Sequence, residues 1–292
     1  MAEASNSSGS VTAIFKNYLE VLKPRETLLL TFIGVCSVII GANGVPAVVS
    51  LIKATLTILI ASAGANGLTN YLDRDVDARM FRTRGRVLPT GRIEPRKVFI
   101  WTLSLIIIGL IMDWFLHPYA FAADAIGTIA ASVFRKRVLC VFPQGAIASC
   151  APVLMGWYAV DKDFTVETAL LCLLICAWLP LHVWSVMVSR RDDYLSAGLT
   201  FFPMNVSVRT AVSVLLVFAL VLNASAVWLY FAAGFSLLYL LVAVGLGAAM
   251  LYATVRLVAT NASKDAWKLY KLSSFPYLGL IFLTMYVSLV IR

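Results

Sequence analysis

Charge is what this sequence has least of. Asp, Glu, Lys and Arg make up only 13% of its 292 residues, against 61% hydrophobic residues and a mean hydropathy of +0.88. A soluble domain carries about twice that share of charge, so a soluble globular or disordered chain is excluded. Histidine is rarer still, with two residues, His117 and His182. The five cysteines (Cys36, Cys140, Cys150, Cys172, Cys176) have no His or Cys partners at metal-ligand spacing. That excludes a zinc module, and Cys172 and Cys176, four apart, read as packing residues. No low-complexity tract or soluble domain is visible. No basic n-region leads into a short apolar core near the start, so the first span is expected to act as the insertion signal.

What remains is apolar sequence in long runs. Nine segments, at about 27–44, 46–69, 98–115, 118–134, 142–160, 166–187, 208–230, 234–257 and 273–291, are predicted to cross a bilayer. The expected fold is an all-α integral membrane bundle, one domain over 16–292 behind a disordered tail of residues 1–15. With the amino terminus in the cytoplasm, 21 of the 24 Lys and Arg fall in inside segments, and only Lys53, Lys162 and Arg292 do not. Positive charge retained on the cytoplasmic side explains this partition. The net charge of +9 is therefore a topology signal, and nothing resembles a soluble nucleic-acid-binding face. A cell (inner) membrane protein with the 73–97 loop in the cytoplasm is expected.

The polar chemistry concentrates at one face. Residues 70–90 read NYLDRDVDARMFRTRGRVLPT, directly after an apolar run. If the helix continues, Asn66, Asn70, Asp73 and Asp77 share one side of it, and Asp75 points elsewhere. Two carboxylates on consecutive turns suit Mg²⁺, which takes one or two carboxylates and completes its shell with water and phosphate oxygens. The arginine run just downstream (Arg79, Arg82, Arg84, Arg86) could then hold those phosphates by charge-assisted hydrogen bonds. The plain alternative is a solvated loop whose charges only set topology.

A second cluster, SRRDDYLSAGLTFFP, follows the sixth segment. Asp192 and Asp193 with Arg190 and Arg191 offer either a second cation or phosphate site or an interfacial loop of mutually satisfied ion pairs. Arg135, Lys136 and Arg137 read either as diphosphate contacts or as topology anchors. His182, in WLPLHVW, is an ionisable ring within a span, so it is expected to face the bundle interior or a cavity. The competing reading is a packing histidine. Asp124 has no role legible in the sequence.

Together these residues resemble the UbiA superfamily of intramembrane prenyltransferases, and within it the protoheme IX farnesyltransferase branch. NYLDRDVDARM followed by RT-R-LPTGRI is similar to the superfamily's N-Y-x-D-R-D-x-D and R-T-x-x-R-x-L. RDDYLSAG with Pro203 resembles the branch's second signature, and Trp178, His182 and Trp184 its W-x-x-P-H-F-W segment. The chain departs from these patterns at Thr69, Phe81, Ala131, Ser132 and Leu181. The resemblance implies a nine-helix UbiA-type bundle in which Asp73 and Asp77 coordinate Mg²⁺ on a prenyl diphosphate, with Lys136 and Arg137 assisting. Asn70, Arg74, Arg82, Arg86, His182, Arg191, Asp193 and Tyr194 would bind substrate. The expected reaction is farnesyl transfer from farnesyl diphosphate to protoheme (heme b), giving heme O. An aromatic or quinone-precursor acceptor, or a secondary transporter, stands as the alternative.

Overall fold

A computed structural model describes residues 11–133, 141–160 and 163–291. Among them are twelve helices and no strand. In chain order they are α1 (Val11–Val21), α2 (Pro24–Gly41), α3 (Val48–Arg79), α4 (Pro95–Leu116), α5 (Pro118–Val133) and α6 (Gln144–Tyr158). Then follow α7 (Val166–Ser189), α8 (Arg191–Ser196), α9 (Val208–Ala233), α10 (Leu237–Thr260), α11 (Ser263–Ser273) and α12 (Phe275–Val290). The helix ends follow local chemistry. Proline opens α2, α4 and α12, where a missing N–H costs nothing. Ser207 accepts the Thr210 N–H to cap α9, and Gly234, at φ +58°, ends it in the left-handed region.

Among the described residues, seven candidate spans are long and apolar enough to cross a bilayer, one of them running through α11 and α12 as 263–290. The chain is therefore a multi-pass membrane protein. The expected fourth and fifth spans, α5 and α6, have 16 and 15 residues. A full crossing needs about 20, so helix length alone supports seven of the nine expected crossings. Val11–Phe15, expected in the disordered tail, instead open α1, whose Val11, Ile14 and Phe15 are exposed while its polar side is tied down by Arg92.

The second expected span is also longer than its apolar run suggests. At 32 residues α3 reaches about 48 Å, well beyond a hydrocarbon core of roughly 30 Å, so its last turns lie in the polar layer. Small residues hold it there. A Cβ on Gly64 would sit 2.8 Å from the Ile106 backbone nitrogen, and one on Gly109 would sit 2.9 Å from Ala61 Cα, so α3 and α4 touch backbone to backbone. Gly34 and Gly156 do the same for α2 and α6, where Ser37 Oγ donates to Val153 O at 2.7 Å. In lipid, where apolar surface alone gives helices no reason to associate, such close approach is the main source of cohesion.

Gly64→Ala should therefore cost about 1–3 kcal/mol by overpacking and lower the thermal unfolding midpoint in detergent. Gly245→Ala, with open space around its position, should leave the midpoint unchanged or raise it.

Candidate active site

The end of α3 carries the first polar cluster as its periodicity predicts. Asn70, Asp73 and Asp77 are buried on one face with Asn66 partly so, and Asp75 is 80% exposed beside Arg74. The upper part of that face is locked to the α1–α2 junction. Asn66 Nδ2 donates to Thr27 Oγ1 at 2.9 Å, Asn70 Nδ2 donates to Val21 O at 2.7 Å, and Lys23 Nζ donates to Thr69 Oγ1 at 2.9 Å. Thr69, which stands where the resemblance expects asparagine, thus takes a lysine instead.

Beyond α3 the chain folds back on itself. Thr83 Oγ1 donates to Asp77 O at 3.0 Å and fixes the turn. Val87, Leu88 and Ile93 then bury against Val21 and Val98, which brings Arg86 over the helix it has just left. Its Nη1 lies 2.8 Å from Asp77 Oδ2 and 3.5 Å from Asn70 Oδ1. Arg86 is the best placed of the expected phosphate-binding arginines. Arg74 lies over the Tyr71 ring at 4.5 Å, and Arg82 is exposed. Lys136 and Arg137 lie outside the described residues.

The second cluster meets the first, but not as a second cation site. Asp193 accepts the backbone N–H of Phe81 at 2.7 Å and of Arg82 at 3.4 Å, so its carboxylate clamps the turn after α3. Its oxygens are used on backbone donors. Arg191, expected at the substrate, donates its guanidinium to the carbonyls of Pro203, Met204 and Val206 at 2.8–3.0 Å. Three carbonyls without other partners explain that use, since a buried backbone acceptor must be satisfied. Tyr194 is buried. Asp192 is exposed.

His182 sits deeper on α7, between the Trp178 ring (centroids 4.9 Å apart) and the Tyr270 ring (4.7 Å). Its Nδ1 is 3.1 Å from Ser273 Oγ, which itself donates to Tyr270 O at 2.9 Å. Nδ1 is engaged by a hydroxyl, and Nε2 has no hydrogen-bond partner among the described residues. The histidine is thus both packed and chemically open at one nitrogen. Ser273, Tyr270 and Trp267 were missed by motif reading. Their only sequence signal is the amphipathic spacing of SKDAWKLYKLS, which builds α11.

Comparison with known proteins fits this geometry. The model of the UbiA prenyltransferase family matches residues 27–275. The chain belongs to the UbiA prenyltransferase family. That membership makes it a prenyltransferase and removes the transporter alternative. A protoheme IX farnesyltransferase of Desulforudis audaxviator is 32% identical, over 95% of this chain and 89% of its own length. One of Thermoplasma volcanium is 33% identical over 92% and 96%. Among UbiA folds, the solved digeranylgeranylglyceryl phosphate synthase superposes with a TM-score of 0.78 at 16% identity, over 95% of this chain and 99% of that one. A UbiA homologue from Archaeoglobus fulgidus, bound to GPP and Mg²⁺, gives 0.65 at 14% identity over 92% and 99%.

Since Asp193 joins the two clusters, Asp193→Ala should free the 80–84 turn and speed trypsin cleavage after Arg82 and Arg84 about tenfold, the effect of losing a charge-assisted bond. Asp193→Asn, which keeps an acceptor oxygen, should fall between. Digestion followed by intact-mass analysis reads both.

Proposed function

We propose that this UbiA-family enzyme transfers a farnesyl group from farnesyl diphosphate to protoheme IX, giving heme O. The observation that carries the donor half is the pair of buried carboxylates, Asp73 and Asp77, one turn apart beneath Arg86. The acceptor half rests on the names of the relatives and on His182. The cytoplasmic side of a cell membrane is the assigned face, supported by the partition of basic residues.

A donor set of oxygens only fits a hard cation, and no cluster of three or more Asp, Glu, His or Cys suited to a metal exists among the described residues. Two carboxylates fit Mg²⁺, whose remaining positions belong to water and phosphate. Asp73 and Asp77 would hold it, and when bound it neutralises charge on the departing diphosphate. Arg86 supplies a fixed positive charge at the same place, pre-oriented by Asn70, so little reorganisation accompanies bond breaking. Lys136 and Arg137 would add to it. Asp193 and Arg191 act through the backbone by holding the loops that frame this site.

The farnesyl C–O bond breaks, the heme vinyl group forms the new C–C bond, and water adds to leave a hydroxyl and release a proton. Buried Trp178 and Trp184 offer apolar, electron-rich walls that shield the allylic cation from premature water. His182 is about 10 Å along α7 from its end at Ser189, which suits contact with an apolar acceptor or its iron through Nε2 rather than contact with phosphate.

Purified protein given farnesyl diphosphate, heme and Mg²⁺ should form heme O by mass spectrometry, and chelation should stop it. Asp73→Asn should lose turnover by at least a hundredfold, about 3 kcal/mol of transition-state stabilisation, while its unfolding midpoint stays unchanged. Near-normal turnover in that variant would remove the metal role. His182→Ala should weaken heme binding and leave farnesyl diphosphate affinity unaltered. Product formed only with a quinone precursor would reassign the acceptor.

A further inference from the structure

Trp178 and His182 belong to a longer row of rings, whose outer members the proposed reaction has not used. Trp178, His182, Tyr270 and Trp267 follow one another with centroids 4.9, 4.7 and 5.0 Å apart. The row begins on α7 in the bundle and ends on α11 at the polar layer, where two cations converge from different elements on one indole. Arg190 Cζ, at the end of α7, stands 5.0 Å from the Trp267 ring centroid, and Lys271 Nζ, in the last turn of α11, stands 5.6 Å from it. The two helices are tied at this level, since Ser263 Oγ donates to Ser189 O at 2.8 Å.

The neighbouring acids leave these two cations alone. Asp265 takes Arg256 at 3.2 Å and Lys268 at 3.6 Å, with Thr260 Oγ1 at 2.9 Å. Asp193 is held by the turn after α3, and Asp192 is exposed without an ion pair among the described residues. Neither Arg190 nor Lys271 has a carboxylate partner among the described residues. Stacking on Trp267 restrains them without neutralising them, so a pair of positive charges stands at the end of an aromatic wall, about 12 Å along α7 from His182.

We propose that Arg190 and Lys271 bind the carboxylates of the acceptor, orienting a flat amphipathic substrate along the partly exposed His182–Tyr270–Trp267 part of the row, with Trp178 buried behind it. The inference rests on the acceptor assignment above and adds to it the residues that read the acidic edge. A large planar ring with its acidic groups on one edge matches a wall that is aromatic along its length and cationic at one end. Its apolar edge then points into the bundle, toward the reacting chain. Arg190 and Lys271 are positioning residues, because the bonds that change lie at the opposite edge of the acceptor.

Titration of the full-length protein in an uncharged detergent, followed by heme absorbance, tests this with heme and with its dimethyl ester, whose carboxylates are masked. Arg190→Met and Lys271→Met should each weaken heme binding about tenfold, as expected for one charge-assisted contact. Ester binding should stay the same, and Lys271→Arg should restore affinity for the acid. Equal weakening for acid and ester would show a general effect on folding or on a lipid surface and overturn the proposal. Unchanged binding of both would also overturn it. If both variants keep their folded state and the wild-type protein makes heme O without discriminating acid from ester, the clamp fails and the acceptor assignment stands. If the wild-type protein neither binds nor alters heme, both fail together.

Discussion

A carboxylate almost sealed from solvent at the edge of a membrane needs a positive charge on it, and Asp77 meets that requirement with Arg86 at 2.8 Å. The rest of the site depends on this contact. Arg86 lies nine residues further along, so the chain has to reverse within two turns' worth of sequence to deliver it. Thr83 and the small apolar cluster around Val87 and Leu88 make that reversal. Asp77 is buried while the Arg86 side chain is partly exposed, so the pair joins the protein interior to the solvent-facing turn. A cation-binding site built this way is pre-formed and electrostatically primed.

The reversal also creates the docking point for the second half of the bundle. Backbone N–H groups of Phe81 and Arg82 project from the turn and find Asp193. Without a carboxylate there, two donors at a tight turn would lack a fixed partner. Arg191 carries the same logic into the 203–206 loop, where it satisfies three carbonyls. The charged loops that look alike in sequence therefore divide into different tasks: one presents carboxylates to the site, and the other uses its charges to hold backbone.

Above this polar layer, cohesion comes from close backbone approach at glycines on α2, α3, α4 and α6. Rigid helix pairs are what allow side chains on separate elements to be aligned to within a hydrogen bond. His182 shows the benefit: two rings and one hydroxyl fix its plane.

Much of this was legible in the sequence, because the signals involved are one-dimensional. Bilayer thickness sets span length, so apolar runs display the multi-pass membrane architecture directly. A helical repeat places Asp73 and Asp77 together whatever surrounds them, and the motif order carries the family. Span counting was less secure at α5 and α6, whose described residues number 16 and 15, fewer than a full crossing needs. The tertiary structure alone decided the partners. Nothing in RRDDY distinguishes a carboxylate that binds a cation from one that accepts two amide protons, since the difference lies in a turn 111 residues away. Likewise, α11 reads as a polar connection until Tyr270 and Trp267 are found against His182. Periodicity fixes which side chains share a face, and only packing fixes what that face meets.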